Sequence, residues 1–431
     1  MQFLSTRDPS HRVGFSQALS QGLAPDGGLY VPEQWPELDI RALPADTAAL
    51  SATAAPFIGS FAAGDALGAQ MPAITANAFN FPAPLVPLDQ NGRLSVLELF
   101  HGPTAAFKDF GARFLAAALT RLRAGAARPL KILVATSGDT GGAVAAAFHR
   151  QPGIEVAVLF PKGLVSPTQE RQLTCWGDNV QSFAVRGTFD DCQSMVKAAF
   201  LDGALRQRFE LSSANSINLG RLLPQAVYYV VASLEIWRRH GAPASFIIPS
   251  GNLGNSTACM WAKLMGAPID RIVLAHNANR TVPDYLAEGV LRTRPSIATL
   301  ASAMDVGSPS NLERLLALFP DAHALGQALS ALSIEDAAIR ARIKTDHARY
   351  GQIWCPHTAT AAEAYERLDP AVRAAGRWVL VSTAHPAKFC EIVEPLLGLK
   401  VAVPDNLARL FERPVQCREI DATLAALDSQ L

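Results

Sequence analysis

The chain has 431 residues, 49% of them apolar and 18% charged, and its 38 basic and 38 acidic side chains cancel. That length suggests two or three domains around a large core, and a neutral balance with no basic run or acidic tail leaves nucleic-acid and membrane-surface roles without an electrostatic footprint. The opening MQFLSTRDPSH is too poor in apolar residues for a signal peptide, and no apolar stretch reaches the roughly 20 residues of a membrane span, so a cytoplasmic chain is expected.

Through about residue 95, proline and glycine breaks alternate with short helical patterns, as in LAPDGGLYVPEQWPEL, and the alanine-rich stretch 52–63 favours helix. Residues 1–95 are therefore expected to form a helical segment packed on the larger domain. Next comes ELFHGPTAAFKDFGARFLAAAL, residues 98–119, where Lys108 sits between Phe107 and Phe110 just before a helix. Only eight lysines occur in the chain, and this is an unusual place for one. Either its stem lies along the phenylalanines with the ammonium in water, or the amine is partly desolvated, with a lowered pKa that suits Schiff-base chemistry.

From about residue 130, strand-like apolar runs alternate with helical patterns. LKILVAT leads to TGGAVAAAFHR; IEVAVLF follows; VQSFAVR leads to DDCQSMVKAAF; SFIIPS precedes NSTACMWAKLMG; RIVLAHN and WVLVST come later. This alternation predicts parallel α/β sheets with helices on both faces. The polar SSANSINLGR interrupts the rhythm, so a smaller α/β domain over 96–215 and a larger one over 216–431 are expected.

Two stretches share a strand–glycine loop–helix pattern. In IIPSGNLGNSTACMWAKLMG, Gly251 and Gly254 open a tight loop before a helix expected near Ser256. Converging amides and the helix N-terminus can hold a small monophosphate there, with Ser250, Asn252 and Asn255 as side-chain donors. The spacing is neither GxGxxG nor GxxxxGK[ST], which disfavours a dinucleotide or ATP. In VATSGDTGGAVAAAF, Ser137, Asp139 and Thr140 offer a polar ligand pocket at a strand end, although Asp139 also reads as a helix cap. ANSINLGR clusters Asn215, Asn218 and Arg221, and an arginine there can clamp a carboxylate or phosphate. VLVSTAHPAKF ends a strand on Ser382 and Thr383. The six cysteines form no CxxC pair, the histidines show no HExxH spacing, and Cys355 and His357 lack further nearby ligands, so no metal is expected. A protected lysine, two glycine-rich polar loops and a terminal hydroxyl together match the needs of pyridoxal phosphate: a lysine for its aldehyde, an anion nest for its phosphate, a partner for its ring nitrogen.

The chain resembles the threonine synthase family of long bacterial and fungal type, which has the pyridoxal-phosphate fold type II, tryptophan-synthase-β-like. The resemblance runs through STRDPS…LAPDGGLYVPE, ELFHGPTAAFKDFGARF, SGDTGGA, PKGLVSPTQERQ, NSINLGRLLPQAVYY, PSGNLGN, MDVGSPSNLER, PHTA and STAHPAKF. It implies that Lys108 binds the cofactor aldehyde, that Gly251, Asn252, Leu253, Gly254 and Asn255 cradle its phosphate, and that Thr383 meets the pyridine nitrogen. It further implies a carbon–oxygen lyase acting on a phosphate, which converts O-phosphohomoserine and water into threonine and phosphate by γ-elimination and β-addition, in a monomer or homodimer. Thr104, Ser137, Asp139, Thr140, Lys162, Ser166, Arg171, Asn215, Asn218 and Arg221 are candidates to hold that substrate. More distant relatives carry asparagine where Asp139 stands, and an acidic residue is common where Cys355 stands.

The rival readings are another lyase of the same fold (a serine or threonine dehydratase or a phospholyase), a non-catalytic relative, and a nucleotide-binding oxidoreductase. The STRDPS and MDVGSPSNLER segments weigh against the first, Lys108 against the second, and the missing GxGxxG against the third.

Overall fold

A computed structural model describes all residues 1–431. Its first strands are β1 (Gln2–Ser5), β2 (Arg12–Gly14) and β3 (Tyr30–Pro32), followed by β4 (Leu85–Pro87) and β5 (Leu94–Glu98). Then come β6 (Leu130–Ala135), β7 (Ile154–Pro161), β8 (Val180–Arg186) and β9 (Glu210–Ser213). The last five are β10 (Ala244–Pro249), β11 (Ile269–His276), β12 (Ser330–Ser333), β13 (Trp378–Ser382) and β14 (Arg418–Asp421).

They assemble into three sheets. A five-stranded sheet has order β14-β8-β7-β6-β9, and a six-stranded sheet has order β12-β11-β10-β13-β5-β4. All pairings in both are parallel except β4 with β5. Every residue of β6, β10 and β13 is buried, because helices cover both faces of a parallel sheet, and this is why those strands read as continuous apolar runs. No helix is long and apolar enough to cross a membrane.

Two expectations are corrected here. Residues 1–95 are not simply helical: β2, β1 and β3 form an antiparallel three-stranded sheet ahead of the helices Ser51–Phe61 and Met71–Ala78. Strands of three or four residues leave too short an alternation to be seen in sequence. The boundaries at 96 and 215 also cut across the sheets. β5, and the preceding β4, belong to the six-stranded sheet, while β14, near the end of the chain, returns to the five-stranded one. Sequence order alone does not say which parallel strand accepts a late partner.

The helix Lys108–Leu122 is the connection from β5 in one sheet to β6 in the other, and its first residue therefore lies at the junction. It packs on the helices Met71–Ala78, Asp139–Phe148 and Leu219–Leu222. The approach to the last of these is tight at Gly111, where a Cβ would lie 2.3 Å from the carbonyl oxygen of Arg221. Only glycine allows that approach. Gly111→Ala must push apart the two segments that carry Lys108 and Arg221, at a cost of about 1–3 kcal/mol. A lowered midpoint of urea unfolding is expected, and an unchanged midpoint would contradict this packing.

Candidate active site

Between the two parallel sheets lies a cavity of about 380 Å³. Its walls come from the C-terminal ends of β6, β10 and β13, the start of the Lys108 helix, and the segments 215–225 and 303–310. A crevice at the carboxyl ends of parallel strands is where such sheets bind ligands. Of the sequence candidates, Lys108, Ser137, Asp139, Thr140, Asn215, Arg221, Thr383 and all of residues 250–255 line it.

Lys108 is half-buried, and its amine faces the cavity rather than bulk solvent. Burial pushes its amine down from the ordinary lysine value to about 8; the Asp139 carboxylate opposes this, while Lys388 and Arg221 reinforce it. Its position is fixed by backbone bonds to the six-stranded sheet: Ala106 bridges Ala384, and the Phe107 amide donates to the Thr383 carbonyl at 2.9 Å. The lysine and the proposed ring-nitrogen partner are thus tied together one residue apart. Thr383 lines the cavity, whereas the hydroxyl of Ser382 is engaged with the Thr358 hydroxyl at 3.0 Å.

The 250–255 loop is built differently from the glycine pattern that suggests it. Leu253, not a glycine, takes the left-handed conformation, with φ 61°. Gly251 serves close approach instead: a Cβ there would lie 2.8 Å from the Cα of Met304. The helix starts at Gly254, two residues before the expected Ser256. Its first internal bond is Thr257 N to Leu253 O, so the amides of Gly254, Asn255 and Ser256 have no acceptor within the helix. The Asn255 side-chain oxygen accepts from Tyr228 and Tyr229, which leaves its buried Nδ2 without a partner. Asn252 departs from expectation, since its side chain is spent bracing the loop through Ser216 and the Ser310 amide. Convergent, unpaired donors at a helix start fit a phosphate monoester, and a screened lysine beside them fits the aldehyde of pyridoxal phosphate.

Arg221 is 2% exposed and has no carboxylate within ion-pair distance; one guanidinium nitrogen donates to the Ala214 carbonyl, and Nε is buried and unpaired. Burial lowers its pKa to about 10. A guanidinium enclosed this way calls for an anion.

Five candidates lie elsewhere and are corrected. Thr104 is buried outside the cavity and hydrogen-bonds Asp109 through both its amide and its hydroxyl. Ser166 closes a capping box with Gln169 at the start of the helix Pro167–Thr174. Arg171 grips the carbonyls of Phe411 and Arg413. Asn218 caps the helix Leu219–Leu222 and bonds the carbonyls of Leu19 and Ser213. Lys162 is half exposed in an ion pair with Glu419 at 2.6 Å. Short polar side chains near a turn satisfy backbone groups as readily as ligands, so sequence cannot separate the two uses.

One lining residue was missed as a ligand-facing group. His357 is 3% exposed, and burial pushes its pKa down to about 4. Its Nε2 accepts from the Ala303 amide at 3.1 Å, which places the proton of the neutral ring on Nδ1, a buried donor without a partner. Cys355, beside it in sequence, caps the helix Pro356–Glu366 and faces Thr358.

Fold and site together define a pyridoxal-phosphate dependent enzyme of fold type II. Residues 77–384 match the pyridoxal-phosphate dependent enzyme family, residues 2–79 the threonine synthase N terminus, and residues 358–430 the threonine synthase C-terminal region. The chain is 40% identical over 439 residues to a threonine synthase of Haemophilus influenzae (100% of this chain, 99% of the relative) and 38% identical over 432 residues to that of Escherichia coli (99% and 98%). Among solved structures, threonine synthase from Escherichia coli superposes with TM-score 0.90 at 36% identity (100% and 99% covered). Pyridoxal-phosphate-bound threonine synthase from Brucella melitensis gives TM-score 0.90 at 34% identity (100% and 98%). The chain belongs to the threonine synthase family.

The depressed pKa of Lys108 sets how the apo chain takes up its cofactor. Only the neutral amine attacks an aldehyde, so the uptake rate, followed by absorbance, is expected to rise with pH through a midpoint near 8. A rate that still climbs through pH 10, as for an exposed lysine, would contradict the screened environment.

Proposed function

We propose that this enzyme makes threonine and inorganic phosphate from O-phosphohomoserine and water, with pyridoxal 5'-phosphate held at Lys108. The observation that carries the proposal is the pairing of two anion-binding features in one cavity. The amides of 254–256 with Asn255 suit the cofactor phosphate, and the unpaired buried Arg221, with Asn215, Ser137 and Thr140 also in the cavity, suits a second, substrate-borne phosphate. A single chain supplies every one of these groups.

Pyridoxal phosphate supplies an electron sink for an amino acid attached through its amine. The rest falls to the chain. The Lys108 amine, neutral near its depressed pKa, takes the proton from the substrate's α carbon and returns one at release. A proton leaves the β carbon, the γ C–O bond breaks with its electron pair going to the departing phosphate, which Arg221 stabilises, and the γ carbon takes up a proton to become the methyl group. Water then adds its hydroxyl to the β carbon and its other proton goes to the phosphate, so that substrate plus water equals threonine plus phosphate. Thr383 offers a neutral hydroxyl to the ring nitrogen, and a neutral partner disfavours the fuller electron withdrawal that transamination uses. His357 offers Nδ1–H as a further fixed donor.

Incubation with O-phosphohomoserine is expected to release phosphate in step with threonine, whereas keto acid from serine or threonine with no threonine formed would refute the reading. Arg221→Lys keeps a charge but loses the planar fork. It is expected to raise KM for O-phosphohomoserine at least about tenfold, equivalent to ~1.4 kcal/mol, while cofactor affinity stays at the parent value. Equal losses in both would move Arg221 out of the substrate site. Thr383→Val, which keeps shape but removes the hydroxyl, should retain the cofactor and turn over more slowly; a parental rate would remove Thr383 from the ring nitrogen.

A further inference from the structure

A fully buried charge beside the cavity belongs to a residue outside it. Lys388 follows β13 on the 3₁₀ turn Pro386–Phe389, and its side chain is 0% exposed. Its ammonium lies 2.8 Å from Asp139 Oδ1 and donates to the Thr104 carbonyl at 2.9 Å. Asp139 begins the helix after β6, in the five-stranded sheet, whereas Lys388 hangs from the six-stranded one. Thr104 is in the turn that leads to Lys108. The same Asp139 oxygen accepts from Gln169 at 3.0 Å, and the Thr104 carbonyl also accepts from Gln172 at 3.0 Å. One lysine therefore ties three parts of the site together without touching the cavity.

Asp139 is the anion nearest in influence to Lys108, yet its ion pair is with Lys388. We propose that Lys388 is a positioning residue for the Lys108 chemistry: by pairing with Asp139 it occupies the carboxylate that would otherwise hold the Lys108 amine as an ammonium, and it fixes the turn before it. The inference rests on the reading that Lys108 binds the cofactor. Other charged or titratable groups around Lys108 are Arg221 from the helix Leu219–Leu222, His357 from Pro356–Glu366 and Asp109 on its own helix. His357 is neutral at working pH, and Asp109 is spent on Thr104. Asp139 and Lys388 thus form an opposed pair acting on one amine.

Opposed charges predict opposed shifts. Removing Lys388's charge leaves Asp139 unbalanced beside Lys108, which favours the protonated amine; removing Asp139's charge leaves Lys388 unbalanced and favours the neutral one. The measurement is the pH midpoint for uptake of pyridoxal phosphate by the full apo chain, followed by absorbance, with Lys108→Ala as the blank. Lys388→Gln, which keeps an amide donor for Thr104, is expected to raise the midpoint by about one pH unit, and Asp139→Asn to lower it by a similar amount. The double variant should return near the parent, and Lys388→Arg should stay there. Midpoints that do not move, or that move together while thermal stability falls, would reduce Lys388 to a structural tie and overturn the proposal. If Lys388→Gln does not fold, the comparison of Lys388→Arg with Asp139→Asn decides: a parental midpoint in the first and a lowered one in the second support it, and equal midpoints overturn it. Uptake by Lys108→Ala as fast as the parent would remove the cofactor reading itself, and this one with it.

Discussion

Taking a lysine ammonium out of water is the constraint from which the rest of this structure follows. Burial disfavours the charged form, so the Lys108 amine is available as a nucleophile closer to neutral pH because the cavity walls screen it from bulk water. Screening requires two sheets to close on one point. The chain achieves this by crossing from the six-stranded to the five-stranded sheet through the helix that Lys108 begins. The cavity is the gap left at that crossing.

A screened amine is useful only if it is aimed, and the aiming is done by backbone rather than side chains. The Ala106–Ala384 bridge and the Phe107–Thr383 bond hold Lys108 and the end of β13 as one piece. Facing them, the 250–255 loop is braced by Asn252 through Ser216 and Ser310, and Asn311 donates to the Asn252 carbonyl at 2.9 Å. Arg314, fully buried, extends the brace outward, bonding the carbonyls of Tyr30 and Ile217 and the side chain of Asn311. The small N-terminal sheet is thereby linked to the loop that frames the cavity, which gives the first segment of the chain a mechanical part in the site.

What could be read from sequence divides along a physical line. Long buried strands and the helices between them were visible in LKILVAT, IEVAVLF, SFIIPS and WVLVST, because both faces are covered and the residues are predominantly apolar. β14 was not, since Ile420 is its single buried residue and its partner β8 lies more than two hundred residues earlier. In the site, Lys108 and the 250–255 loop announced themselves through local motifs. Thr104, Ser166 and Asn218 misled because hydroxyls and amides that cap helices or close turns have the same local signature as those that bind ligands. Lys388 and His357 carried no local signal of their roles, which depend on partners in distant segments: Asp139 and Thr104 for one, the Ala303 amide for the other.

Borohydride reduction of the cofactor-loaded chain, followed by proteolysis and mass spectrometry, tests the centre of this account most directly, because it fixes the cofactor irreversibly to the amine that holds it. The pyridoxyl group is expected on Lys108 alone, in the peptide containing AAFKDF. Its recovery on Lys162, Lys263 or Lys388, with Lys108 unmodified, would contradict the account.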